Sequence, residues 1–562
     1  MRTAAFVGLL LLFAGPAAAD ALKAPRTSVA TVDWERAVAD AGAGTPAGLD
    51  ALNAGAERHF PGIAKSAVPV LLPLDTDGLR KDGAGNDNAD RFVRAGFRAT
   101  RFFLAGPGGY DAGFSILTSE VGELADIRYR DPVYVLVSGL RFTYELEGRP
   151  LPEGEPVKAL EDRFPGIRRI LHESYVRYRF ERYGMTYVAA IYCRDTRPRP
   201  KLLTCKQADR IAERFIGALA LAGGAPSPQQ PVAFAPPERP AEESREFTYY
   251  SPGALIPYTG LTKDTGGRAD YTVYARLRFP MHEAPAFANS QSFNNWGDCD
   301  FTGRTPRYVR KKGQPYTCKV NGLPLVFDES AGRNYAYPWR DNFCEHRRFF
   351  VGQCPGGEGH QGQDIRPGSC TLFNEGADRC EPYRHDIVAV HEGTILRARK
   401  QEAVYLYVNT PDTRVRVRYM HMNPNLLDAD GVVSGRTVTA GEVIGKVANY
   451  NDYERGTTLH LHFDLQVPTR AGWVFVNPYM SLVSAYEQLI GARGRELQPG
   501  EEPPPAVGVP PIIGYGPRAP GAVPLPPVAT QEGAAASSKA EKAKPRKKGA
   551  RKKRRKKSDG DE

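Results

Sequence analysis

Apolar positions along this chain repeat mainly with period two. Val176, Tyr178 and Phe180 alternate with Arg177, Arg179 and Glu181, which predicts a strand with one buried face. Gly184 offers a turn into a second strand from Thr186 to Tyr192, and Val133-Tyr-Val-Leu-Val137 reads as a further strand run. Tyr271 to Phe279 is strand-like as well. Thr458-Leu-His-Leu-His-Phe-Asp-Leu465 alternates too, so His460 and His462 share one face while Leu459, Leu461 and Phe463 take the other. Helical spacing is rarer. Ala208, Ile211, Phe215 and Leu219 recur behind Thr204, a capping residue, and Gly223-Gly224 supplies a stop. A short amphipathic helix is expected from about Ser481 to Ile490.

These patterns divide the chain. Arg2, the apolar run Phe6 to Ala14 and Ala17-Ala-Ala19 form a secretory leader, taken as residues 1–19. That run is shorter than the roughly 20 residues needed to span a bilayer, and no later segment is apolar enough. Residues 20–224 read as an α+β N-terminal region holding no catalytic constellation, and 225–245, rich in Pro, Gln and Glu, as a linker. Residues 246–492 carry the remaining strands and most of the chemistry. From 493 to 562 the chain is a spacer followed by a tail. Eleven prolines between Pro499 and Pro527 favour an extended form, and a like-charge run then predicts disorder.

Charge and cysteine change the picture in two ways. The formal net charge is +11, but from Lys539 onwards thirteen Lys and Arg stand against four acidic residues, so the rest is near neutral. Behind a secretory leader, such a tail points to an anionic envelope surface and argues against nucleic acid as partner. The expected location is the periplasm, the cell envelope or the exterior. The eight cysteines all follow the leader, as expected of an exported protein that keeps disulfides. Sequential pairing is the simplest framework: 193–205, 299–318, 344–354 and 370–380. A structural zinc site competes with it, but the chain has no Cys-x-x-Cys pair. Sequence leaves the oligomeric state open.

Candidate chemistry lies in three stretches: His360-Gln-Gly-Gln-Asp364, Tyr419-Met-His421 and His460-Leu-His462. They hold four of the ten histidines. His360 and His462 can bind zinc through imidazole nitrogen and Asp364 through carboxylate oxygen, and three protein ligands leave a fourth position for water. Two imidazoles about 7 Å apart on one strand face do not both ligate comfortably, so one of the pair 460/462 is left for the water or the substrate oxygen. Asp464 follows on the same face and can orient an imidazole. His385 and His391 lie at no ligand spacing.

His360-x-Gly-x-Asp364, Tyr-x-His421 and His460-x-His462-Phe, in that order, resemble the lysostaphin/LytM-type zinc endopeptidases that cut peptidoglycan peptides. Gly441-Glu-Val-Ile-Gly445, Asn477-Pro-Tyr and His391-Glu-Gly-Thr-Ile support the resemblance, which covers roughly residues 270 to 480. It implies His360, Asp364 and His462 as ligands and His421 and His460 as the catalytic pair. The implied fold is multidomain: a mostly antiparallel β catalytic domain with Cys-rich insertions, preceded by the α+β region. The implied substrate is the peptide cross-bridge of peptidoglycan. Two other readings remain: a non-catalytic wall-binding or amidase-activating relative, and a zinc protease acting on ordinary proteins. The chain departs from the family in the insertion Cys370–Cys380, in the aromatic- and Cys-rich stretch at roughly 294–358, and in Val404–Asn409 in place of a glycine-rich turn.

Overall fold

The computed structural model describes residues 22–40, 46–82, 91–148, 153–172, 175–194, 202–228, 234–255, 267–289, 336–345, 349–368, 382–454 and 459–498, with a few shorter pieces. The leader, the Cys370–Cys380 insertion and the basic tail lie outside the described residues.

Two antiparallel sheets organise the chain. The first uses seven strands of the N-terminal region: β1 (Arg98–Gly106), β2 (Gly109–Ile116), β3 (Val133–Leu140), β4 (Glu155–Pro156), β5 (Arg168–His172), β6 (Tyr175–Arg182) and β7 (Met185–Tyr192), in the order β1-β2-β3-β7-β6-β5-β4. The alternation predicted for 176–192 is realised as the hairpin β6–β7, with Val176, Tyr178 and Phe180 in the core. The helix Cys205–Gly217 packs on that core through Ala208, Ile211 and Phe215. Its start is a capping box between Thr204 and Gln207, and the Cys193–Cys205 disulfide ties it to the end of β7. The helix stops at Gly217 rather than at Gly223-Gly224, because Ala220–Gly223 leaves it to pair as a strand with Val70–Leu72.

The second sheet comprises β9 (Ala286–Ala288), β10 (Gln363–Pro367), β11 (Gly393–Leu396), β12 (Val404–Asn409), β13 (Arg414–Met420), β14 (Thr437–Val438), β15 (Leu461–Thr469) and β16 (Gly472–Val476). Its order is β9-β10-β15-β13-β12-β11-β14, with β16 on β15. Val415, Val417 and Tyr419 share a buried face with Leu461, Phe463 and Leu465. Tyr271–Phe279, read as strand-like, is extended but forms no ladder beyond one bridge to Lys23. The helix Tyr479–Ile490 is buried on nearly all sides, including Ser481, Ser484 and Glu487. Its polar side is covered by the 234–240 segment, from which Arg239 reaches both Glu487 carboxylate oxygens at 3.0 and 2.6 Å. Beside it β8 (Glu243–Tyr250) runs parallel to β17 (Arg493–Leu497).

The two sheets meet on the polar face of the second. Across neighbouring strands Tyr405 is level with Arg418 and Asp464, and Tyr407 with Arg416 and Gln466. Asp111 of β2, 1% exposed, bonds Arg414 at 2.6 Å and Arg416 at 2.8 Å, and Ser138 donates to it at 2.6 Å. Arg416 also stacks 3.7 Å from the Trp473 ring. From β6, Arg177 donates to the Trp473 carbonyl and Arg179 to that of Arg470. A buried charge cluster of this kind holds together only because both guanidinium groups find the same carboxylate.

Candidate metal centre

The candidate ligand set is built from three backbone segments. Pairing of β10 with β15 sets Asp364 opposite His462. His360 lies just before β10, in a loop held by backbone bonds of 3.0 Å from Cys344 N–H to its carbonyl and 2.7 Å from its own N–H to Glu345. The Cys344–Cys354 disulfide closes the same loop. Strand alternation then puts His460, His462 and Asp464 on one face, as the sequence pattern predicts.

Distances within the group are short. His360 Nε2 lies 3.0 Å from His462 Nδ1 and 3.3 Å from Asp364 Oδ1, and His462 Nδ1 lies 3.1 Å from Asp364 Oδ1. The three residues therefore offer one ligand atom each within 4.8 Å of one another, all buried. His360 Nδ1 lies 2.9 Å from the Asn342 carbonyl, so this nitrogen carries the proton and Nε2 is left with its lone pair. His462 Nε2 stands 3.3 Å from Asp464 Oδ2, and Asp464 is held in turn by Arg418, which also donates to Gln361 at 3.0 Å. His360 thus has a hydrogen-bonded outer partner and His462 a carboxylate in ion-pair contact, the kind of outer neighbour that orients metal-binding histidines. Asp364 Oδ2 is buried with no hydrogen-bond partner. Burying a polar atom in that way is costly unless something binds it. Two imidazole nitrogens and a carboxylate converging beside such an atom fit a zinc-type cation.

The remaining two histidines flank this group. His460 Nε2 is 3.5 Å from Asp364 Oδ1. His421 follows β13, where residues 415, 417 and 419 point into the core, so simple alternation would bury it on the wrong side. Its backbone instead turns left-handed, φ 71°, and the ring lands 4.6 Å from that of His460. A non-glycine residue in that region is strained, and such strain concentrates at functional positions. His421 Nδ1 donates to the Tyr450 carbonyl at 2.9 Å, leaving Nε2 uncommitted, and Glu402 Oε1 lies 3.6 Å from Nδ1.

Electrostatics follow from burial and neighbours. Burial holds the His421 pKa down at about 4, with His462 adding to the effect. Burial pushes the Glu402 carboxyl up to about 7. Burial would raise Asp364, but the charges of His360 and His460 outweigh it and hold this carboxyl well below the usual range. Burial would lower His462, yet its bonds to Asp364 and Asp464 raise it. Glu402, Asn342 and Tyr450 were not visible as site residues in the sequence. Each acts from a loop or through a carbonyl, and no spacing rule marks such positions. His385 and His391 take no part in the cluster.

Three comparisons bear on this arrangement. The description Peptidase family M23 matches residues 372–478, a span that contains His421, His460 and His462 and begins just after Asp364. A solved structure of a protein described as a glycyl-glycine endopeptidase LytM from Ruminococcus gnavus ATCC 29149 is 22% identical, with a TM-score of 0.17. The match covers 25% of this chain and 50% of that one, so the chain spans about half the length of that structure. No curated protein matches. Residues 372–478 of the chain are thus similar to peptidase family M23.

Proposed function

We propose that this protein is an exported zinc endopeptidase that hydrolyses the peptide cross-bridges of peptidoglycan in cell wall remodelling. The observation that carries the reading is the convergence of His360 Nε2, Asp364 Oδ1 and His462 Nδ1, with the other Asp364 oxygen buried and unpartnered, beside a segment that matches a peptidase family. His360, Asp364 and His462 would hold the ion. A zinc ion there supplies an electrophile for the scissile carbonyl and lowers the pKa of a water towards about 7. His421 receives the proton of the attacking water at Nε2, the nitrogen that its bond to Tyr450 leaves uncommitted. His460, beside it, steadies the developing oxyanion through its ring N–H. The departing amine takes up a proton as the C–N bond breaks.

The leader, residues 1–19, takes the chain to the envelope, and the basic tail from Lys539 holds it at an anionic surface there. The test is digestion of purified peptidoglycan by the zinc-loaded protein, with mass analysis of the fragments. Release of fragments with new amino and carboxyl termini inside the cross-bridge is expected. Unchanged peptidoglycan with a fully loaded enzyme would overturn the reading.

A further inference from the structure

The face of the N-terminal sheet that meets the peptidase sheet is only partly covered. At one end Ser138, Arg177 and Val188 pack against Trp473. At the other end the same face continues into tyrosines. Tyr192 is the register partner of Tyr175, and their ring centroids are 5.7 Å apart at 87°. Tyr134 stands next to Val135, the partner of Ile191, and so is level with Tyr192. Tyr134 and Tyr192 are each 47% exposed. The Tyr192 hydroxyl accepts a bond from Arg194 Nε at 2.9 Å.

This ledge runs into the metal centre. The Tyr175 hydroxyl lies 3.1 Å from that of Tyr405. Tyr405 is level with Arg418, Arg418 holds Asp464, and Asp464 Oδ2 is 3.3 Å from His462 Nε2. A line of aromatic and hydrogen-bonding side chains therefore leads from the ligand set to the two exposed rings. Exposed apolar patches rimmed by polar groups mark interaction sites. Tyrosine combines an apolar ring with a polar tip. A pyranose matches that combination, because it offers a face of C–H groups bordered by hydroxyl and amide groups.

We infer that Tyr134, Tyr192 and Tyr175 form a ledge that binds the glycan strand of peptidoglycan while its peptide lies at the metal centre. The inference rests on the cross-bridge reading. In peptidoglycan the peptide is covalently attached to an N-acetylated amino-sugar strand, so a sugar must come to rest within a few residues of the scissile bond. The ledge lies on the N-terminal sheet and is linked to the metal centre through Tyr405 and Arg418. It gives that region a role in substrate capture.

The experiment uses the full chain and glycan strands from which all peptides have been removed. Binding is read by calorimetry, and cleavage is read separately on intact peptidoglycan and on a glycan-free cross-bridge peptide. Wild type should bind the bare glycan. Tyr134→Ala/Tyr192→Ala, at exposed positions, should weaken that binding at least fivefold. It should also lower kcat/KM on intact peptidoglycan at least fivefold more than on the glycan-free peptide. Tyr134→Phe/Tyr192→Phe should recover most of the binding, since the ring faces remain. No binding of bare glycan by wild type, equal binding by the alanine variant, or equal loss on both substrates would each overturn the inference. Glycan binding with no cleavage of either substrate by wild type would sink the hydrolytic reading and leave the ledge standing.

Discussion

Asp464 touches no proposed ligand position on the metal itself, yet Asp464→Asn should loosen zinc. Its Oδ2 lies 3.3 Å from His462 Nε2, the nitrogen opposite the ligating Nδ1. The carboxylate fixes the ring and raises its basicity, and loss of such an outer partner typically costs about 10–100-fold in metal affinity. That corresponds to roughly 1.4–2.7 kcal/mol at about 1.4 kcal/mol per decade. Asparagine keeps the shape but removes the negative charge that Oδ2 presents to both Arg418 and His462. Arg418 retains its 3.0 Å bond to Gln361, so the sheet should keep its register. Competition with a chromogenic chelator measures the affinity, and turnover at saturating zinc measures what remains of the chemistry. The expected result is a weaker Kd with turnover partly restored by added zinc. A Kd within twofold of wild type would refute the role given to Asp464.

His421→Ala and His460→Ala should keep the metal and lose most activity, about 10²–10⁴-fold for a general acid–base group; near-normal rates in either would remove that histidine from the mechanism. Asp111→Ala should destabilise the chain by about 3–5 kcal/mol, because Arg414 and Arg416 would be left buried without their carboxylate. In a unit of this size that moves Tm by only a few degrees, so isothermal urea titration is the sharper measurement, and a change under 1 kcal/mol would count against the cluster. Burial holds His385 at about 4 against an ordinary 6.5. The unfolded chain then binds more protons between those values, so stability falls as pH drops from about 6.5 towards 4. His385→Gln should flatten that part of the pH–stability curve, and an unchanged slope would refute the assignment. Deleting Lys539 to Glu562 should reduce binding to anionic vesicles at low salt while sparing turnover of small peptides, since exposed charges are screened within about 8–10 Å at 0.1–0.15 M ionic strength; equal loss in both assays would mean the tail acts on the peptidase part.

The parts of the site that depend on strand period were readable from sequence. His460 and His462 share a face, and Asp464 extends it, because side chains alternate along β15. The convergence of His360 and Asp364 on them could be named only through the family resemblance, since nothing in the chain's local pattern pairs β10 with β15. His421 departs from its strand's alternation through a left-handed residue, which periodicity cannot foresee. The helix after Cys205 was legible at its cap and not at its end, where strand pairing with Val70–Leu72 took Ala220–Gly223 away from it. Most hidden was the docking of the first sheet on the arginine-bearing face of β13. Alternating Arg414, Arg416 and Arg418 reads as a solvated strand face, and only Asp111, some three hundred positions earlier, makes burial affordable.

The parallel pairing of β8 with β17 bears on when the enzyme comes into being. Glu243 is matched with Arg493, about 250 residues later. At about 5–20 residues per second of synthesis, the earlier strand waits roughly 12–50 s for its neighbour. His460, His462 and Glu487, the partner of Arg239, are made only towards the end of that interval. The His360–Asp364–His462 group therefore cannot close before His462 is made, and a molecule halted short of that residue carries no assembled group. The three candidate ligands thus come together late in synthesis, when most of the chain that surrounds them is already made.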